Sequence, residues 1–203
     1  DLAYWRSRLD GAPRTLALAT DYPRPAKQSH AGASESVPIP PDIIRSIGGA
    51  SGWDDHDRSS LFLATFSSLL FRYTRQTDFV IGMPVEMRRT DETAGVIGAF
   101  RNLVALRVEL DGSMSSDALL KRACAEMRNA MSHGNVPFAR VLEELNPERD
   151  FSRAPVFQVS FEHRTTPPPE LTLADLEVER LDFDMLHTSF DLALRIHLEL
   201  VGK

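Results

Sequence analysis

The amino-acid sequence predicts an α/β fold, a two-layer sandwich in which a mixed, mostly antiparallel sheet carries helices on one face. Three observations lead there. Phe157, Val159 and Phe161 alternate with Gln158, Ser160 and Glu162, and Val104, Leu106, Val108 and Leu110 alternate with Ala105, Arg107 and Glu109, the period of two of half-buried strands. Apolar residues recur at helical spacing before the earlier strand, Phe62, Phe66, Leu69, Leu70 and Tyr73, and between the two, Leu119, Leu120, Cys124, Met127 and Met131. Finally, 203 residues with 42% hydrophobic content can bury one core, as a single domain or as one lobe of a larger one.

In chain order, Leu2 to Leu9 reads as a short helix ended by the Gly11 to Pro13 breaker, and Asp21 to Pro25 as an extended connector. Ser34 to Ile39 is expected as a strand closing at Pro40-Pro41, with a short helix from Asp42 to Ile47 behind it. After a loop, the strongest helix begins at Asp57, a residue suited to capping. Asp78 to Pro84 is a buried strand, and the segment from Ile97 leads into the strand through Leu110. Ser116 caps a helix that ends near His133-Gly134, where glycine suits a left-handed cap. Pro137 then opens a helix whose apolar face is Phe138, Val141, Leu142 and Leu145. Pro155 fits the first residue of the next strand, and the prolines between Arg164 and Glu170 mark a surface loop. Leu176, Val178, Leu181 and Phe183 predict a bulged strand, and Phe190 to Leu200 a half-buried antiparallel one with His197 toward water.

Composition excludes several roles. A formal net charge of -6, with no run of lysine or arginine, argues against nucleic acid as a partner. No apolar run approaches the ~18 residues of a membrane span and no signal-peptide pattern opens the chain, so a soluble cytoplasmic protein with no membrane partner is expected. The lone Cys124 shares a helical face with Met127 and Met131 and reads as a buried structural thiol in a reducing compartment. Asp54, Asp55 and His56 are adjacent on a loop and do not make a metal site; Asp182 and Asp184 read as a solvated face, as do Arg88 and Arg89 with Asp91 and Glu92. No bound metal or cofactor is expected.

Three ordered motifs remain. Arg149, Asp150, Ser152, Arg153 and Pro155 precede Phe157-Gln158-Val159; His133, Pro137 and Phe138 stand upstream; Ile97, Gly98, Phe100 and Asn102 stand earlier still. Together they resemble R-D-x-S-R-x-P-x-F-Q-V, H-Q-D-x-P-F-E and I-G-x-F-V-N-T of the condensation domains of nonribosomal peptide synthetases, which share the fold of chloramphenicol acetyltransferase. Tyr4-Trp5-Arg6 with Leu9, Thr20-Asp21 before Pro23-Arg24-Pro25, and Asp78 with Gly82 and Pro84 are similar to the family's connecting segments, and Ser189-Phe190-Asp191-Leu192 resembles its K-F-D-L with Ser in place of Lys. Departures are Arg101 for Val, Leu103 for Thr, Met87 for Asn, Gly134 and Asn135 for Gln and Asp, and Ala139 for Glu.

The resemblance implies amide formation by acyl transfer between substrates carried on the phosphopantetheine of carrier proteins, with Gly98, Phe100, Arg101 and Asn102 beside the substrate tunnel. The family's catalytic motif, H-H-x-x-x-D-G, is not in this sequence: its histidines are 30, 56, 133, 163, 187 and 197, none adjacent. Residues 1–203 are therefore expected to be the C-terminal lobe, with 1–33 an inter-lobe connector and no catalytic residue of its own. The expected partners are an N-terminal condensation lobe, peptidyl or acyl carrier proteins and adjacent synthetase domains. Asn102 either bonds a substrate amide or satisfies nearby backbone. His133 reads as a helix-end residue. The alternative is a non-catalytic relative that recruits a tailoring enzyme.

Overall fold

The computed structural model describes residues 1–48, 53–88, 91–165, 173, 176–178 and 186–197. Six helices and four strands follow one another as α1 (Leu2–Leu9), α2 (Pro41–Gly48), α3 (Asp55–Thr74), β1 (Asp78–Glu86), α4 (Asp91–Ala94), β2 (Arg101–Glu109), α5 (Ser116–Ser132), α6 (Phe138–Leu145), β3 (Val159–Arg164) and β4 (Leu192–His197) among the described residues. The sheet is mixed and its order is β2-β1-β3-β4. The predicted α/β sandwich is thus present.

One part of that expectation is corrected. β1 pairs with β2 antiparallel, in register from Asp78↔Glu109 to Glu86↔Arg101, but β1 pairs with β3, and β3 with β4, in parallel. Alternation of side chains is the same in either direction, so only the connections decide it. The β1–β2 link, residues 87–100 with α4 in it, brings the chain back antiparallel beside β1, whereas α5 and α6 return it to the far side of β1, and the longer link before β4 starts that strand parallel to β3.

The register divides the sheet into two faces. Ile81, Met83, Val104, Leu106, Val159 and Phe161 share one, under α3 and α5. α3 meets α5 through small residues: Ser60, Ala64 and Ser67 on one side, Ala123 and Ala130 on the other, are all buried. This rotates both helices from their predicted faces. Tyr73 and Leu69 are exposed, as is Met131, and the half-buried Cys124 sits at the margin of the stripe that Ala123 and Met127 occupy.

Other elements differ locally. Ser34 to Ile39 forms no strand, because Pro38 and Pro40 remove N–H donors that a ladder needs, and Val37 is exposed. α3 is capped by Asp54, whose carboxylate accepts from Asp57 N at 2.8 Å while Asp57 caps in return; α5 is capped by Ser115 rather than Ser116. Gly134 has no positive φ; it is buried against Val104, 3.4 Å from where its Cβ would stand. β3 begins at Val159, not Pro155, since Val156 takes a left-handed φ of 69° and breaks the extended run. Residues 176–178 carry no strand; Leu181, Phe183, Asp182, Asp184, Leu198 and Leu200 lie outside the described residues. No helix among the described residues is long and apolar enough to cross a membrane.

His163 gives a pH test of this packing. Its Nδ1 lies 2.7 Å from Ser59 Oγ and its ring meets Phe62 edge-on; burial lowers its pKa from the ordinary value, outweighing the opposing charge of Asp55. The unfolded imidazole therefore takes up a proton first. Thermal stability is expected to fall as pH drops from about 7.5 through the unfolded pKa of about 6.5, levelling below the folded pKa. A His163→Gln variant should lose this step in a series of melting curves.

Candidate functional site

The motif residues form brackets that tie distant segments to the sheet. Asp150 Oδ1 accepts from Ser152 N at 2.8 Å and from Ser152 Oγ at 2.6 Å, and Arg153 Nε lies 2.7 Å from Asp150 Oδ2. These contacts pull Asp150 below the usual carboxylate range, the Ser152 hydroxyl most of all. The turn so fixed presents its backbone: Arg24 donates to Ser152 O and, through both terminal nitrogens, to the Asp191 carboxylate at 3.0 and 2.5 Å. Three segments that resemble separate family motifs thus meet at one guanidinium. Arg149 is exposed.

Gln158 is the second bracket. At 2% exposure it accepts from Leu16 N at 2.9 Å and donates to Arg14 O at 3.0 Å and to Ala154 O at 2.9 Å. The connector is pinned further on by Gln28 N, which donates to Phe151 O, and by an antiparallel bridge between Ala31 and His187. The N-terminal segment is a fitted part of the fold rather than a loose arm.

The predicted tunnel residues do not converge. Gly98 and Phe100 lie in a loop held by Arg88, which donates to Val96 O and Gly98 O at 3.2 and 3.1 Å and stacks 4.5 Å from the Phe100 ring centroid. Sequence alone reads Arg88 as a solvated loop residue; its spacing to the motif is the signal that could have found it. Arg101 and Asn102 are neighbours on β2, so they face opposite sides. Asn102 reaches the α5–α6 connector, donating to Gly134 O and Val136 O at 2.8 and 2.7 Å and accepting from Phe138 N at 3.0 Å. Its amide thus bonds three backbone groups of that connector.

His133 closes α5 as expected, stacked on Tyr4 at 3.9 Å with Nδ1 2.7 Å from Asp1 Oδ1; its carbonyl accepts from Trp5 Nε1. The Tyr4 hydroxyl is pushed up to about 12, by burial first and by the Glu126 charge second. Pro137 is the N-cap of α6, and Phe138 packs its ring against Phe157, which also meets Phe190.

Arg101 turns instead into a groove of about 310 Å³ on the sheet face away from α3 and α5. Pro84, Leu103, Ser160, Glu162, Ala193 and Arg195 line its sheet side, and His187 to Phe190 its rim. Arg101 Nη2 and Arg164 Nε contact Glu162 Oε1 at 2.6 and 2.7 Å, and Arg195 Nε lies 4.0 Å from Oε2. Burial raises the Glu162 pKa, but the Arg164 hydrogen bond and the Arg101 and Arg164 charges outweigh it, so the net shift is downward. His187 stacks on His30 at 5.2 Å. Among the described residues no cluster of three or more His, Cys, Asp or Glu could hold a metal ion.

A mixed sheet backed by helices on one face and open to a polar groove on the other defines a protein of the chloramphenicol acetyltransferase-like fold. The chain belongs to the condensation-domain family, whose model matches residues 1–200. It is 35% identical over 195 residues to a linear gramicidin synthase of Brevibacillus parabrevis, covering 95% of this chain and 2% of that protein. Among solved structures, it is similar to the X-domain in the complex of the X-domain and OxyB from teicoplanin biosynthesis, at 25% identity and a TM-score of 0.78, over 97% of this chain and 42% of that one. The condensation domain from the monacolin K polyketide synthase MokA shares the fold at 23% identity and a TM-score of 0.66, over 99% of this chain and 49% of that one. The chain spans about 2% to 4% of the length of its first curated relatives, which are peptide synthases.

Proposed function

We propose that this chain is the C-terminal lobe of a condensation domain, which in the intact synthetase joins a carrier-bound acyl or peptidyl group to the amine of a carrier-bound aminoacyl group. The observation that supports this most directly is the groove lined by Arg101, Ser160 and Glu162 on the sheet face away from α3 and α5, because Arg101 belongs to the motif that lies beside the substrate tunnel in the family it resembles. In this reading the lobe supplies a wall and a surface for carrier proteins. It positions the two thioester-linked substrates, and the base that activates the amine belongs to a stretch outside these residues. The groove's own groups suit that division of labour: Glu162 is held as a carboxylate by guanidiniums, and His187 has no hydrogen bond to an acid among the described residues.

The test is amide formation with carrier-bound donor and acceptor, read by mass spectrometry. The chain alone is expected to give no product, and product is expected once an N-terminal lobe with H-H-x-x-x-D-G is supplied. Turnover by the chain alone would overturn the reading. The likeness to an X-domain seen with OxyB supports a second one, recruitment of a tailoring enzyme. Stable binding of such an enzyme by the two-lobe protein, without condensation, would favour it.

A further inference from the structure

We propose that the groove between Arg101 and Arg195 is an oxyanion site, taking a phosphate or carboxylate group borne on an otherwise neutral ligand. Three guanidiniums surround one carboxylate, Glu162, so the cluster keeps a surplus of positive charge on a chain whose formal net charge is -6. They do not share Glu162 equally. Arg101 Nη2 and Arg164 Nε both use Oε1, while Arg195 stands 4.0 Å from Oε2 and donates no hydrogen bond to another described residue. Among the described residues, then, Arg195 is a solvent-exposed cation lining the groove whose fork makes no hydrogen bond. Ser160, 8% exposed, lines the groove with a hydroxyl that bonds no other described residue.

A guanidinium fork fits two oxygens of a carboxylate or phosphate, and a neighbouring hydroxyl adds a third donor. On the sheet side the remaining lining, Pro84, Leu103 and Ala193, is apolar, so the group bearing the anion is neutral where it meets the sheet, while His187, Thr188 and Ser189 add polar groups at the rim beside Phe190. The volume of about 310 Å³ lies at the small end of ligand pockets. Arg101 occupies a position where the family pattern has Val, so the charge is a property of this chain. If the tunnel reading above holds, the anion is either the phosphate of the carrier arm or an acidic group on the joined substrate; the site itself does not need that reading.

The experiment is calorimetric titration of the protein with pantetheine, phosphopantetheine and succinyl-pantetheine. At least one anionic ligand is expected to bind tenfold or more tightly than pantetheine, the preferred one naming phosphate or carboxylate as the source. Arg195→Ala should abolish that gain, Arg195→Lys should keep part of it, and Arg101→Val should reduce it, with melting temperatures close to the parent's. Equal binding of all three ligands, no binding, or a gain that survives Arg195→Ala would overturn the site. Because binding is read without turnover, a protein that binds the anion but never condenses leaves the site standing and removes only the tunnel reading.

Discussion

Replacing Gln158 with Leu is expected to destabilise the fold by about 3–5 kcal/mol, read as a fall in the urea midpoint with an unchanged slope. The side chain is buried and joins three backbone groups, Leu16 N, Arg14 O and Ala154 O, none of which Leu can satisfy. An unpaired buried donor or acceptor costs about 1–3 kcal/mol, so the loss exceeds what added apolar contact returns. Gln28→Ala is the control: its amide lies 3.5 Å from Ser189 O at the surface, and a change within about 0.5 kcal/mol is expected. A Gln158→Leu variant as stable as the parent would show that the 12–18 segment is not held by this residue.

Gly82→Ala is expected to cost about 3 kcal/mol although it adds one methyl group. A Cβ at Gly82 would lie 2.0 Å from Phe157 Cε2 and 2.5 Å from Cδ2, far inside contact distance. The ring cannot swing away cheaply, because Phe138 and Phe190 stand 5.1 and 5.6 Å from its centroid. Removing the ring should relieve the clash. The double variant Gly82→Ala with Phe157→Leu is therefore expected to lose less than the sum of the two singles, by more than about 1 kcal/mol. Strict additivity would mean that β1 shifts to make the space.

What the sequence reveals about this fold follows from how local each signal is. α1 matches its predicted bounds, Leu2–Leu9, because a breaker follows it at once. The buried side of α3 departs from the predicted one because Ser60, Ala64 and Ser67 do not stand out by hydrophobicity; they are buried by being small where another helix comes close. Arg24, Ser152 and Asp191 each fall within a family resemblance, yet their meeting depends on three distant segments, and no spacing rule joins them. Adjacency groups Arg101 and Asn102 as one site, and strand geometry separates them. Arg195 reads from sequence only as a polar position on a strand, since its groove exists only once β4 lies beside β3.

The strand order has a consequence for how the chain reaches this state. β1 and β2 are joined by the shortest of the links between strands, residues 87–100, and can pair early, whereas β3 must be delivered across the intervening helices before Gly82 can face Ser160. Assembly should thus be paced by the closing of long loops around a preformed hairpin. Destabilising changes along the β1–β2 pair should slow refolding, and those along β4 should chiefly hasten unfolding.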